Sequence, residues 1–361
     1  MISYLIPTRH RPDRLAATLT ALARLDPDPA DPAAEVIVVD DASETPVTTP
    51  TRLANGWAVR VVRCETQCGA AARNAGVEAA RGAWIFMLDD DSWPLDTAAN
   101  GIAATAGNDV AAIGGQILLP GGHHEHGGLP EVFVGCGVLL RRDVFLDLGG
   151  YDDTFHYYAE EYDYCARLIR AGWRVRHDWR LQVRHEKVAA GRRLAVILRR
   201  LVRNNGWVAQ RYAPEKHHQP ALEEIVERYA RIAAREGVAF GYQRGLDDLM
   251  ETIDEQPRVP LTEEQWQRFT GATAVEEHLA ATPELAGHAV AIVDEGKHAN
   301  VIRRVLLERG GCMLVGEDDA DRLVIGTLSP GPMLDAWERH HRAGVDAWMG
   351  WRPDHAGVLA G

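Results

Sequence analysis

The sequence predicts an α/β fold: a mostly parallel sheet with helices on both faces, then a helical region and a small C-terminal α/β appendage. Two observations point there. Through the first third of the chain, short apolar runs alternate with segments of helical period, the pattern that builds parallel sheets. Polar clusters also stand where three of those runs end, at Pro7-Thr8-Arg9, Asp40-Asp41 and Asp89-Asp90-Asp91. Sheets of this kind bind ligands beyond the carboxyl ends of their strands.

Taken in order, residues 3–6 are expected as a strand, 14–25 as a helix, 35–39 and 59–63 as strands, 70–80 as a helix and 84–88 as a strand ending in acids. Residues 101–119 read as a helix and then a strand. The segment PGGHHEHGGLP at 120–130 reads as a loop by its glycines and prolines. A strand at 132–140 and a short helix at 143–148 follow, closed by Gly149-Gly150. Residues 160–171 have helical period up to Gly172, and 174–176 and 181–184 are two short strands. From Leu194 amphipathic helices are expected at 194–212, 221–236 and 263–281. Residues 288–351 return to strand, helix and strand, with a helix over 333–343. The expected division is 1–211, 212–284 and 285–361.

A chain of 361 residues has the length of two domains or slightly more, and 46% hydrophobic with 25% charged residues is a globular composition. The net charge of −13 repels nucleic acid and anionic membranes, which argues against general nucleic-acid binding. No apolar run reaches the roughly 18 residues of a transmembrane helix, and no basic segment precedes the first apolar residues as in a signal peptide. Cys64, Cys68, Cys136, Cys165 and Cys312 are few, odd in number and scattered, which suits a reducing cytoplasm. Cys64 and Cys68 lack a second ligand pair at zinc-like spacing.

The chemistry-bearing residues start with Asp89-Asp90-Asp91 in FMLDDDSWP. Three adjacent carboxylates repel one another unless a cation neutralises them. On an extended chain Asp89 and Asp91 point the same way, and carboxylate oxygens with water suit Mg²⁺ or Mn²⁺. A solvated acidic turn is the plain alternative. Asp40-Asp41 in VIVVDDAS can accept hydrogen bonds from a pyrimidine ring N–H or ribose hydroxyls, or Asp41 or Ser43 can cap a helix. The small residues around Arg73 and Asn74 in GAAARNAG let a ligand approach the backbone, with Arg73 free to meet a phosphate, or simply pack a helix tightly. Glu160, Asp163 and Arg167 share one helical face and Glu161 projects about 100° away. A carboxylate there can serve as general base toward an acceptor hydroxyl, or the acids can complement the helix dipole. His185 ends a strand, where an imidazole could complete a metal shell or be structural.

Three further features have plainer readings. His123-His124-Glu125-His126 could recruit a second metal or form a lid, but its glycine flanks favour a flexible surface loop. Arg192, Arg193, Arg199, Arg200 and Arg203 form a basic helical stripe that could meet a phosphate or a membrane, and a solvated face paired with acids is the simpler reading. AVAIVDEGKHAN lacks G-x-G-x-x-G, so the C-terminal segment is expected to shape the acceptor site or a dimer contact.

The ordered series IPTRHRPDRL, VIVVDDAS, GAAARNAGVEAARGAWIFMLDDDSWP, GCGVLLRRDVF, GGYDDTF and EEYDYCARLIRAGWRV resembles the family 2 inverting glycosyltransferases of the GT-A fold, across about residues 1–211. The resemblance implies a Rossmann-like catalytic domain at 1–211, with Asp89 and Asp91 as its metal-binding Asp-x-Asp and His185 as its late metal-site histidine. It implies nucleotide-sugar contacts at Pro7, Thr8, Arg9, Asp40, Asp41, Arg73, Asn74, Asp89 and Asp90. The base would be Glu161, where the family carries aspartate. A glutamate is one methylene longer, so Glu160 and Asp163 stay open as alternatives. The implied cofactor is Mg²⁺ or Mn²⁺. The implied substrates are a UDP- or dTDP-linked sugar and a small-molecule or glycan acceptor, with a homodimer as one arrangement.

Rival readings are a nucleotidyltransferase and a noncatalytic nucleotide-binding relative. The first needs a glycine-rich, lysine-bearing loop after the first strand, and IPTRHRPD has neither residue. The second would not need both acidic clusters and His185. A glycoside hydrolase needs no Asp-x-Asp metal site.

Overall fold

The computed structural model describes residues 1–27, 33–187 and 194–354. Strands β1 (Ile2–Thr8), β2 (Ala34–Asp40), β3 (Ala58–Arg63), β4 (Trp84–Met87), β5 (Ser92–Pro94), β6 (Val110–Leu118), β7 (Val138–Arg141) and β8 (Arg174–His185) form one sheet, in the order β3-β2-β1-β4-β7-β6-β8-β5. Between them run α1 (Pro12–Leu22), α2 (Ala72–Ala79), α3 (Ala99–Thr105), α4 (Arg142–Asp147) and α5 (Glu160–Arg170). The β1–β2, β2–β3, β1–β4 and β6–β8 pairs are parallel, while β7 and β5 run against their neighbours, so the sheet is mixed.

Strand alternation explains the helices on both faces. Leu5, Ile37, Val39, Ile85 and Met87 enter one core with Val77 of α2. Tyr4, Ile6, Val36, Val38 and Phe86 enter the other with Leu15 and Leu19 of α1.

Helices α6 (Leu194–Tyr212), α7 (Glu215–Glu236), α8 (Ala239–Thr252), α9 (Glu263–Thr270) and α10 (Ala272–Ala281) follow. The chain closes with β9 (Ala289–Val293), α11 (Ala299–Glu308), β10 (Met313–Leu314), β11 (Arg322–Ile325), α12 (Pro330–Arg342) and β12 (Ala347–Trp348), whose strands form a parallel sheet ordered β10-β9-β11-β12.

Several expectations need correction. The strand expected at 132–140 is shortened to β7, because the chain ahead of it leaves the ladder, Gly135 N donating to the Glu161 side chain instead. The two short strands at 174–176 and 181–184 are one, β8. The helix expected at 263–281 is two, split at Gly271 with φ +87°, where a Cβ would lie 2.9 Å from Leu328. Helix α7 begins six residues before 221 and carries Pro220 inside it, and α8 has no counterpart among the expected elements.

Candidate active site

Beyond β4 the three acids do not stay extended. Asp89–Asp91 form a turn closed by Ser92, whose hydroxyl accepts from Asp89 N at 2.8 Å and donates to Cys136 O at 3.1 Å. The expectation that Asp89 and Asp91 share a direction through strand alternation therefore fails. Asp89 faces the buried Arg73 guanidinium. Asp91 meets Arg11 at 2.5 Å and His185 Nε2 at 3.2 Å. The two acids still converge on one place, since a carboxylate oxygen of Asp89, Cys136 Sγ and a ring nitrogen of His185 lie within 4.8 Å of one another.

Asp90 turns inward. It accepts from Thr8 Oγ1 at 2.7 Å and pairs with Arg11 at 2.6 Å, while its carbonyl accepts from Thr18 Oγ1 at 2.7 Å. Burial, with Asp89 and Asp91 adding and Arg11 and Thr8 opposing, pushes its carboxyl up to about 7. Asp90 and Thr8, both expected at the nucleotide, instead brace the acidic turn against β1.

His185 brings β8 to this turn, fixed by the backbone bond from Glu186 N to Asp91 O at 2.8 Å. Its Nδ1 meets Glu125 Oε2 at 2.9 Å, and Glu125 is paired on its other oxygen with Lys187. Burial alone would lower the imidazole, but Asp91, Cys136 and Glu125 raise it to about 12. Burial opposes ionisation of both acids, yet His185 with Arg11 holds Asp91 at about 2, and His185 with Lys187 does the same for Glu125. Burial pushes the Cys136 thiol up to about 11, so it stays protonated and offers no thiolate. Asp89 and Asp91 are the carboxylate donors, and protonated His185 with Arg11 and Arg73 supplies the positive charge beside them; once His185 Nε2 gives up its proton, two carboxylates and one imidazole are available to a metal. That donor set fits Mg²⁺ or Mn²⁺. Glu125 on Nδ1 is the carboxylate partner that metal-bound histidines carry.

Beyond β1 and β2, Asp41 accepts from Cys68 N at 2.6 Å and Gly69 N at 3.1 Å, drawing the start of α2 under the strand end. Asp40 is fully buried, receives Ser43 N at 2.9 Å and Val47 N at 3.2 Å, and pairs with Arg63. Despite burial, these partners hold its carboxyl below the usual range. Arg9 Nε and Arg73 Nε are buried donors without a protein partner, the kind of orphan an anionic ligand satisfies. Pro7 is half-buried between Thr8 and the β1 core. Asn74 does not face the cleft: its amide accepts from Tyr151 N at 2.9 Å and donates to Tyr151 O at 2.8 Å.

The acids of α5 part company. Asp163 is 1% exposed and fully engaged by Arg167 at 2.9 Å, Arg211 at 2.9 Å and Tyr212 OH at 2.7 Å. It ties α5 to α6 and is corrected out of the base candidates. Glu160 Oε2 is buried without a partner. Glu161 Oε1 accepts from Gly135 N at 3.3 Å. Burial and then the charge of Glu161 push Glu160 well above the usual carboxylate range, and burial raises Glu161 too. Two neighbouring acids in this setting titrate as a pair, with a proton shared between them.

The run ahead of α5 is strained, with positive φ at His156, Tyr158 and Ala159. Asn204 of α6, fully buried, holds it by donating to Phe155 O, Tyr157 O and Tyr158 O at 3.0, 2.9 and 2.6 Å. Gly69, at φ +67°, lets α2 approach, since a Cβ would lie 2.2 Å from His156 O.

Arg11, Glu125, Cys136 and Asn204 were not legible as site residues. Arg11 had the weak signal of a third cation in TRHR, and Glu125 lay in a segment read as a flexible loop. That reading is corrected at its centre: His124 and Glu125 are buried, and His124 bonds Asp335 of α12 at 2.6 Å and Gln116 at 2.9 Å. In the basic stripe, Arg199 pairs with Asp248 and Arg203 stacks on Trp207, while Arg192 and Arg193 lie outside the described residues.

Residues 3–165 match the family model described as glycosyl transferase family 2. A pre-mycofactocin glycosyltransferase of Mycobacterium tuberculosis is 29% identical over 215 residues, 51% of this chain and 44% of the relative. The chain thus matches less than half the length of that curated relative. GalNAc-T7, solved with UDP, GalNAc and Mn²⁺, superposes with a TM-score of 0.51 at 15% identity, covering 71% of this chain and 57% of its own. TarS 1–349 of S. aureus, solved with UDP-GlcNAc, gives 0.50 at 14% identity, covering 78% and 87%. Sequence match and fold agree: residues 3–165 match glycosyl transferase family 2, and the fold is that of GT-A glycosyltransferases.

Proposed function

We propose that this protein is a metal-dependent, inverting glycosyltransferase that moves a sugar from a nucleoside-diphosphate sugar to a hydroxyl, or another nucleophile, of a small-molecule or glycan acceptor. The observation that carries it is the meeting of Asp89, Asp91 and His185 beyond the strand ends, with Glu160 and Glu161 near enough to feel the charges of Asp89 and Arg73. The TarS complex with UDP-GlcNAc and the GalNAc-T7 complex with UDP, GalNAc and Mn²⁺ are consistent with a uridine-linked donor.

Asp91 and His185, with Asp89, would hold Mg²⁺ or Mn²⁺, which neutralises charge on the departing diphosphate. Arg73 and Arg9 offer their unpaired donors to the nucleotide's phosphates. Asp41, at the end of β2, would accept from a ribose hydroxyl or a base edge in addition to the Cys68 and Gly69 amides. Of this coupled pair, Glu161, which stands at the family's base position, would take the proton of the acceptor as it attacks from the face opposite the leaving group. One displacement turns an α-linked donor into a β-linked product.

Incubation with a panel of nucleotide sugars and acceptors, with Mn²⁺ or with chelator, tests this. Asp91→Ala should abolish metal-stimulated turnover, and Glu161→Gln should bind donor normally while transfer falls by roughly 10²–10⁴. Near-normal transfer by Glu161→Gln would move the base elsewhere.

A further inference from the structure

A second cavity, of about 210 Å³, lies where α6, α7 and α9 meet the start of α11. Its walls are largely apolar, including Val208, Ile225, Trp266 and Phe269. Its charges are unbalanced. Arg228, Lys297 and Arg304 line it against one carboxylate, Glu224.

Arg228 NH1 is buried without a hydrogen-bond partner, its approach to Glu224 being an ion pair at 3.4 Å. Lys297 donates to Tyr162 OH and sits 3.9 Å over that ring. Among the described residues neither Lys297 nor Arg304 has a carboxylate partner. Burial, with Arg228 adding, holds the Lys297 ammonium well below its usual range. Such an arrangement costs free energy until an anion arrives. In a chain of net charge −13, a cationic cavity is not a by-product of general composition.

We propose that this cavity binds a small molecule with an apolar or aromatic body and one anionic group, a carboxylate or a phosphate. Arg228, Lys297 and Arg304 receive the anion, and Trp266 and Phe269 cover the body. The site does not depend on the transferase reading.

Calorimetry with 4-hydroxybenzoate, phenyl phosphate and phenol on the full chain tests it. Saturable binding of at least one anion is expected, about tenfold or more tighter than phenol. Lys297→Met and Arg304→Met should each erase that preference, and Arg304, which has no ion-pair partner among the described residues, can be replaced without breaking one there. Absence of anion binding at millimolar concentration, equal binding of phenol, or unchanged binding by both variants would overturn the proposal. UDP with Mn²⁺ is titrated into the same samples. Absence of that binding in the unmutated chain counts against the transferase reading alone, because no residue of this cavity belongs to the metal or nucleotide cluster.

Discussion

Replacing Glu125 probes the metal site through a residue that would not itself touch the ion. Its Oε2 lies 2.9 Å from His185 Nδ1, and both side chains are about 95% buried. Removing that carboxylate frees the imidazole to rotate and makes it a poorer donor at Nε2, the nitrogen that faces Asp91. Losing such a partner typically weakens metal affinity by about 10–100-fold, or about 1.4–2.8 kcal/mol. Glu125→Gln keeps an acceptor oxygen and should fall near the tenfold end. Glu125→Leu leaves Nδ1 only the weak Cys136 Sγ contact at 3.6 Å and should approach a hundredfold. Lys187→Met is the control: it removes the cation beside Glu125 without touching His185, so Mn²⁺ should bind at least as well as in the parent. The assay is Mn²⁺ titration by calorimetry in the presence of UDP, with melting temperatures to exclude unfolding. A Glu125→Leu protein that melts normally and binds Mn²⁺ within about twofold of the parent would refute the positioning role.

Two other outcomes are expected. Asn204→Ala removes an amide that serves three carbonyls with two hydrogens, so urea unfolding should show a loss of about 2 kcal/mol, and transfer should slow more than donor binding weakens as the strained run ahead of Glu160 relaxes. Because burial raises Glu161 and transfer needs it ionised, activity should fall with decreasing pH at a value above the ordinary carboxylate range, and Glu161→Gln should lose that limb in a pH–rate profile.

The sheet was legible because its strand ends carry Asp40-Asp41 and Asp89–Asp91 in an order that local pattern preserves. His185 was legible as the polar end of an apolar strand. What stayed hidden depends on contacts far apart in the chain. Glu125 reaches His185 across 60 positions and Arg11 reaches Asp91 across 80, and no local spacing announces either. The parity argument for Asp89 and Asp91 failed because Ser92 folds the acids into a turn. Asn74 and Asp163 carry groups suited to ligands, but Tyr151 in one case and Arg211 with Tyr212 in the other occupy them. Residue type gave the chemistry available at each position, and tertiary packing decided whether that chemistry faced the cleft.

Crystals grown with UDP and Mn²⁺, measured at the manganese absorption edge, test the central claim most directly. The account predicts one anomalous peak bonded to the Asp91 carboxylate and His185 Nε2, with Arg11 withdrawn from Asp91. No peak there, or one held instead by the Asp41, Cys64 and Cys68 cluster, would contradict it.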